Sequence, residues 1–222
     1  MNDELKQEQT ARINIYALLS RLTMSEVDEG LLKSIEDDEN ILSFFPTYAK
    51  WKKRDEYKSK ELIERYLNVD FTNLFLLHLI PYESFYMRDD QMMETGGDNP
   101  VQAIFNAFEF KVELDKARVM AADHIGIELE FMYELCKAEL KALENGDKEI
   151  ALQLAQLQYG FMQDHIIEWM PMYLMNVKNE AGTAFYFDLA DFVLEFILSD
   201  FEYLDRLKKN EFNYDALAEE KA

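Results

Sequence analysis

Three histidines, His78, His124 and His165, and a single cysteine, Cys136, are the side chains through which this chain of 222 residues could run metal, proton or nucleophilic chemistry. Their spacing disfavours the usual versions of it. A di-metal helical bundle places Glu-x-x-His on each of two helices; Phe75, Ala121 and Met162 stand where those glutamates belong. No G-x-S-x-G marks a hydrolase nucleophile. No G-x-x-x-x-G-K-[ST] marks a phosphate loop, and the pair Gly96-Gly97 reads as a turn. Cys136 falls on an apolar helical seam, where a free thiol behaves as a small hydrophobe. The sequence therefore predicts no catalytic residue, no metal ligand and no cofactor. What remains is recognition. Asp123 and His124 adjoin at the head of a long periodic stretch, with Glu128 one turn on. In one reading Asp123 caps a helix and His124 packs against a neighbour. In the other, the pair forms the lip of a groove, where the imidazole donates to an extended peptide and the carboxylate meets a cation.

The element that must position this pair is a helix expected over about 121–145. Ile125, Leu129, Met132, Cys136 and Leu143 recur at steps of three, four or seven. Asp123 is placed to accept from the free N–H groups of the helix start, and Asn145-Gly146 to end it. Glu130, Glu134, Lys137 and Lys141 face away from the seam. His124, Glu128, Phe131 and Leu135 share a flank expected to be open to a partner. Before it, helices are predicted from Asp3 to Met24, around Leu31 to Ile35, and from Lys58 to Leu77. Asp37-Asp38-Glu39-Asn40 caps a short segment, and Phe44-Phe45-Pro46 ends one. Pro81 stops the third helix and leaves an extended aromatic loop, Ile80-Pro81-Tyr82-Glu83-Ser84-Phe85-Tyr86, either a core plug or the floor of a site. A turn at Glu94 to Pro100 leads to a short helix at Val101 to Phe108. After Gly146, Asp147 caps a helix that Pro171 should end or kink. A last helix is expected from Gly182 to Leu207, with Met162, Met170, Met172 and Met175 clustered before it, either core filler or an adaptable surface.

Composition limits the rest. Hydrophobic residues make up 49% of the chain against 7 Gly and 4 Pro, so elements are long and turns few. An all-α, single-domain helical bundle over residues 1–207 follows, with a polar tail over 208–222. The net charge of −21 repels nucleic-acid phosphates and anionic lipid heads and attracts basic peptides. Met1-Asn2-Asp3-Glu4 lacks the apolar stretch of a secretory signal. The most apolar segment, Ala184 to Phe201, is broken by Asp188, Asp191, Glu195 and Asp200, so no membrane span is expected and a cytoplasmic location is the default.

Four blocks, in order, resemble the TorD/DmsD/NarJ-like redox-enzyme maturation chaperones. They are Val69-Asp70-Phe71-Thr72-Asn73-Leu74-Phe75, Ile80 to Tyr86, Asp123-His124-Ile125-Gly126-Ile127-Glu128-Leu129-Glu130-Phe131-Met132, and His165-Ile166-Ile167-Glu168-Trp169-Met170-Pro171. The likeness covers roughly residues 10 to 205. It implies the family's all-α fold and a non-enzymatic, cytoplasmic role. Such a chaperone binds the N-terminal twin-arginine signal region of a molybdenum- or tungsten-cofactor oxidoreductase and holds the catalytic subunit for cofactor insertion before export or assembly. By position, Pro81, Tyr82, Glu83, Ser84 and Tyr86 form the family loop, and Asp123 and His124, with Glu128 beside them, the peptide site. Many members carry Trp where Tyr82 stands. Some members dimerise by helix exchange, for which Gly96-Gly97 is the hinge. Two other readings stay open: a metal-dependent helical oxidoreductase, and a helical adaptor unrelated to redox enzymes.

Overall fold

A computed structural model describes residues 3–210 and 212–214, the side chain of Lys116 excepted. The chain is all-helical. Among the described residues the one extended pairing is an isolated antiparallel bridge between Tyr82 and His124. Met1-Asn2, residue 211 and residues 215–222, the larger part of the expected polar tail, lie outside the described residues, whereas Lys208 and Lys209 belong to the last helix.

The central helix runs Ile125–Asn145 and packs most extensively against the first, Asp3–Met24. Gly126 allows that approach: a side chain there would run into Met24 and Thr23, and the Ser20 hydroxyl donates to the Gly126 carbonyl at 2.8 Å. Ile125, Leu129, Met132 and Cys136 are buried as their spacing requires, and Gly146 closes the helix at φ 78°. The flank expected to be open is covered instead. His124, Glu128, Phe131 and Leu135 are all buried, because Trp169 lies over Glu128, and Phe105, Phe110 and Phe161 enclose Phe131. The amphipathic pattern marks the face that is wet, and neighbours brought in from elsewhere decide how much of the remainder is buried.

The Lys58–Leu77 expectation becomes one helical rod in which Ser59–Leu62 and Asn68–Phe71 alternate with wide π turns, Ile63–Leu67 and Thr72–Leu77. A third π turn, Met162–Ile166, joins Lys148–Phe161 to Ile167–Glu180. Pro171 therefore does not end its helix. Its cost inside a helix is about 3 kcal/mol. Burial of neighbouring Trp169, Met170, Tyr173 and Leu174 offsets that, each contributing on the order of 1.5–3 kcal/mol. Of the clustered methionines, Met162 and Met170 are core, while Met172 and Met175 are exposed. Glu39–Leu42 ends just ahead of Phe44-Phe45, and Pro46 itself opens the next helix, Pro46–Ala49, with buried Phe45 packed against Phe185.

Several helix starts take their acceptor from a distant element. The Asp188 carboxylate accepts from Thr47 and Tyr48 N–H groups, both at 2.7 Å, and caps Pro46–Ala49. Asp70 accepts from Gly182 N at 3.0 Å, Thr183 N at 2.9 Å and the Thr183 hydroxyl at 2.6 Å, ahead of the last helix, Ala184–Lys209. These bonds pin the rod and the short N-terminal helices to the last helix.

Candidate functional site

The loop after the rod folds onto the head of the central helix. Ile125 N donates to the Pro81 carbonyl at 2.9 Å and Glu83 N to the Asp123 carbonyl at 3.0 Å, bracketing the Tyr82–His124 bridge. The Tyr82 and His124 rings meet edge-on at 5.1 Å, and Met120 N donates to the Tyr82 hydroxyl at 2.9 Å. Only the start of the predicted loop is extended; Glu83–Met87 is a short helix.

Asp123 does not cap its own helix. It is fully buried and turned toward the loop, accepting from Ser84 N and from the Asn99 side-chain amide, both at 2.7 Å. It thereby supplies the acceptor for the first turn of Glu83–Met87, while His124 caps the central helix, its Nδ1 accepting from Gly126 N at 3.1 Å. A ring that accepts at Nδ1 is neutral with its proton on Nε2. Burial pushes the His124 pKa down to about 3, in keeping with that state. Asn99 also donates to the Glu94 carbonyl, and Glu94 N donates to the Ser84 hydroxyl, so the Gly96-Gly97 turn is tied to the same corner.

Glu83 reaches the opposite wall, where both its oxygens lie 3.0–3.1 Å from His165 Nδ1. The Trp169 indole donates to Glu128 Oε2 at 3.2 Å, and Tyr86 stacks on Trp169 at 5.6 Å. As a carboxylate, Glu128 would leave its other oxygen buried without a donor. Burial first, then the charges of Glu83 and Asp123, raise its pKa and favour its protonated form, which has a proton to give Glu83. The corner thus holds three buried carboxyl groups, and among the described residues no arginine or lysine is bonded to them. All eight expected site residues come together here. Pro81, Tyr82, Glu83, Ser84, Asp123, His124 and Glu128 are buried, and Tyr86 is half-buried, so His124 and Asp123 are parts of a joint rather than the lip of a groove. Sequence reasoning passed over Asn99, hidden in a turn motif, and the reach of His165 and Trp169 across the joint. The carboxyl-rich composition of the corner was the available signal.

The segments that form the joint or adjoin it in the chain expose apolar side chains: Leu77 before the loop, Met87 and Met92 after it, Met120 on the segment bonded to Tyr82, and Met172 and Met175 on the Trp169 helix. Among the described residues no group of His, Cys, Asp or Glu is arranged to hold a metal ion, and no helix is long and apolar enough to cross a membrane.

The chain is an all-α body whose loop, central helix and Trp169 helix meet at a buried acidic joint. The chain belongs to the TorD/NarJ-like family of redox-enzyme maturation chaperones: residues 46–174 match the family model described as nitrate reductase delta subunit. It is similar to a chaperone protein TorD of Salmonella bongori, 27% identical over 210 residues, covering 88% of this chain and 91% of that one. A chaperone protein TorD of Photobacterium profundum is 28% identical over 152 residues, covering 66% of this chain and 68% of that protein. The corresponding figures for the TorD chaperone of Vibrio parahaemolyticus are 24% over 143 residues, 62% and 64%. These relatives are named as chaperones, not enzymes. No solved structure matches the chain.

Proposed function

We propose that this protein is a cytoplasmic chaperone for the catalytic subunit of a molybdenum- or tungsten-cofactor oxidoreductase. It binds the subunit's N-terminal, twin-arginine signal region and holds it for cofactor insertion before export or assembly. The observation that carries this reading is the convergence of three separate sequence blocks, the 81–86 loop, the 123–128 corner and the 165–169 helix, on one joint, with exposed apolar side chains on the segments that form it or adjoin it in the chain. A twin-arginine leader is basic at its start and apolar after it. Met120, Met172 and Met175 offer adaptable apolar contacts, and exposed Asp89, Asp164 and Glu168 nearby in the chain favour the cations. Pro81, Tyr82, Glu83, Ser84, Tyr86, Asp123, His124 and Glu128 hold that surface in shape. The TorD names of the relatives support the same reading. A homodimer formed by helix exchange about Gly96-Gly97 belongs to this proposal and is read by light scattering.

Titration of a fluorescent client leader peptide tests it. Tyr82→Ala, His124→Ala and the exposed Met172→Asp should each weaken binding by roughly tenfold, about 1.4 kcal/mol, with the helical circular dichroism signal intact. Binding should also weaken as salt is raised. Unchanged affinity in all three variants would remove this surface from the leader's path, and no binding by the parent protein would remove the function.

A further inference from the structure

One face opposes the charge of everything around it. Residues 50–60 carry six cations and two carboxylates, a local excess of +4 on a chain of net charge −21. Part of that excess is neutralised internally. Arg54 binds Glu36 at 2.9 Å and lies over the Tyr48 ring, and Lys60 lies 3.9 Å from Glu64. Lys50 and Lys52 are exposed, and among the described residues no ion pair engages them. The Lys53 ammonium stands 4.0 Å from the centre of the Tyr66 ring and 5.6 Å from that of Trp51. Lys50, Lys52, Lys53 and one carboxylate, Glu56, line an open cavity of about 670 Å³ together with Pro46, Thr47 and Trp51. Trp51 is fixed from behind by Tyr66, edge-on at 6.1 Å, and by Tyr48. None of these residues belongs to the acidic joint.

We propose that this cavity is a docking site for an acidic polypeptide segment, carboxylates alternating with apolar side chains, on a partner protein. Ammonium groups spread around an apolar floor suit such a segment: each carboxylate meets one lysine, and the side chain between them covers Trp51 and Pro46. A phosphate cluster is matched better by guanidinium forks, and the guanidinium of this segment, Arg54, is committed to Glu36. A triphosphate also concentrates charge that the negative field of the whole chain opposes, whereas spaced carboxylates seat within the local excess. The inference does not rest on leader binding at the other face.

The intrinsic fluorescence of the full chain reads it. Of the two tryptophans, Trp169 is buried at 1% exposure and Trp51 is half-buried, so a ligand-induced emission shift that disappears in Trp51→Phe reports this cavity. The probes are a short peptide alternating glutamate with leucine and phenylalanine, its lysine-for-glutamate counterpart, sodium tripolyphosphate, and phosphatidylglycerol vesicles. The acidic peptide should shift the emission, and the double variant Lys50→Glu, Lys52→Glu should bind it roughly tenfold or more weakly at unchanged thermal stability. The same variant should keep whatever affinity the parent has for a leader peptide, which separates the two sites. No shift with the acidic peptide, equal affinity in the double variant, or tighter binding of tripolyphosphate or vesicles would each overturn the proposal.

Discussion

Two of the buried polar clusters among the described residues are built on opposite plans. Where the first, central and last helices meet, Arg12 donates to both Asp200 oxygens at 2.6 and 3.0 Å, to Gln158 at 2.6 Å and to Glu139 at 3.3 Å. Glu139 also accepts from Gln9, Gln158 and the Tyr214 hydroxyl, and Tyr16 donates to Asp200. Burial works against the guanidinium charge, but Asp200 and Glu139 outweigh it and raise its pKa. At the other cluster, Glu83, Asp123 and Glu128 share a buried corner with two histidines, of which His124 is neutral, and burial with the neighbouring carboxylates favours a proton on Glu128. A cation with five directed donors fixes its neighbours in one geometry. A proton shared between Glu128 and Glu83 serves two oxygens at most and is exchanged with solvent as pH changes. The first arrangement suits a permanent joint between helices. The second suits a joint whose charge changes with pH.

Breaking the first cluster should have the largest effect. Arg12→Met leaves Asp200 and Glu139 buried without their cation, a loss of about 3–5 kcal/mol in a two-state unfolding measurement. A loss below about 1 kcal/mol would mean that the acids simply take up protons and that the contrast between the clusters is empty. Asp123→Ala comes next. It orphans the Ser84 N–H and the Asn99 amide, for about 1–3 kcal/mol in all. Hydrogen exchange should speed up in Glu83–Met87 and in the 94–99 turn well before the helix pair Asp3–Met24 and Ile125–Asn145 responds. Uniform acceleration across the molecule would show that the corner is not a separable unit.

Much of this was legible in the residues themselves. The first helix, the seam of the central helix and its Gly146 stop follow from local periodicity and local caps, which are properties of a single segment. The buried state of the Glu128 flank, Asp123 as a cap for a helix thirty-nine positions away, and Asp70 and Asp188 as remote caps are not, because each depends on what another segment brings alongside. The Arg12 cluster escaped notice for the same reason: Arg12, Glu139, Gln158 and Asp200 lie on four helices, and none is unusual in its own sequence context. Continuation through Pro171 shows tertiary packing overriding a local stop signal. The family likeness pointed to the 81–86 loop and the Asp123–His124 corner, which the structure brings together, but the chemical character of these residues, a neutral histidine and a glutamate whose protonated form is favoured, is set by burial that a sequence does not display.

The smallest effect is the sharpest test of the contrast, since it should be a gain. Glu128 has a folded-state pKa above its unfolded one, so above the ordinary glutamate range, about 4.3, the folded state holds more protons than the unfolded and loses stability as pH rises toward the folded value. Glu128→Gln replaces the shared proton with an amide that donates to Glu83 and still accepts from Trp169. The variant should match the parent near pH 4 and exceed it by about 1 kcal/mol near pH 8, the scale of a single pKa unit. His124 acts with the opposite sign. Its pKa, pushed down to about 3, makes the folded state lose stability as pH falls from the ordinary histidine value, about 6.5, toward 3. That contribution is common to both proteins and cancels in their difference. Urea unfolding of the pair at the two pH values therefore isolates Glu128. A difference that does not grow with pH would mean that the corner carries no such proton, and that the two clusters differ in composition but not in kind.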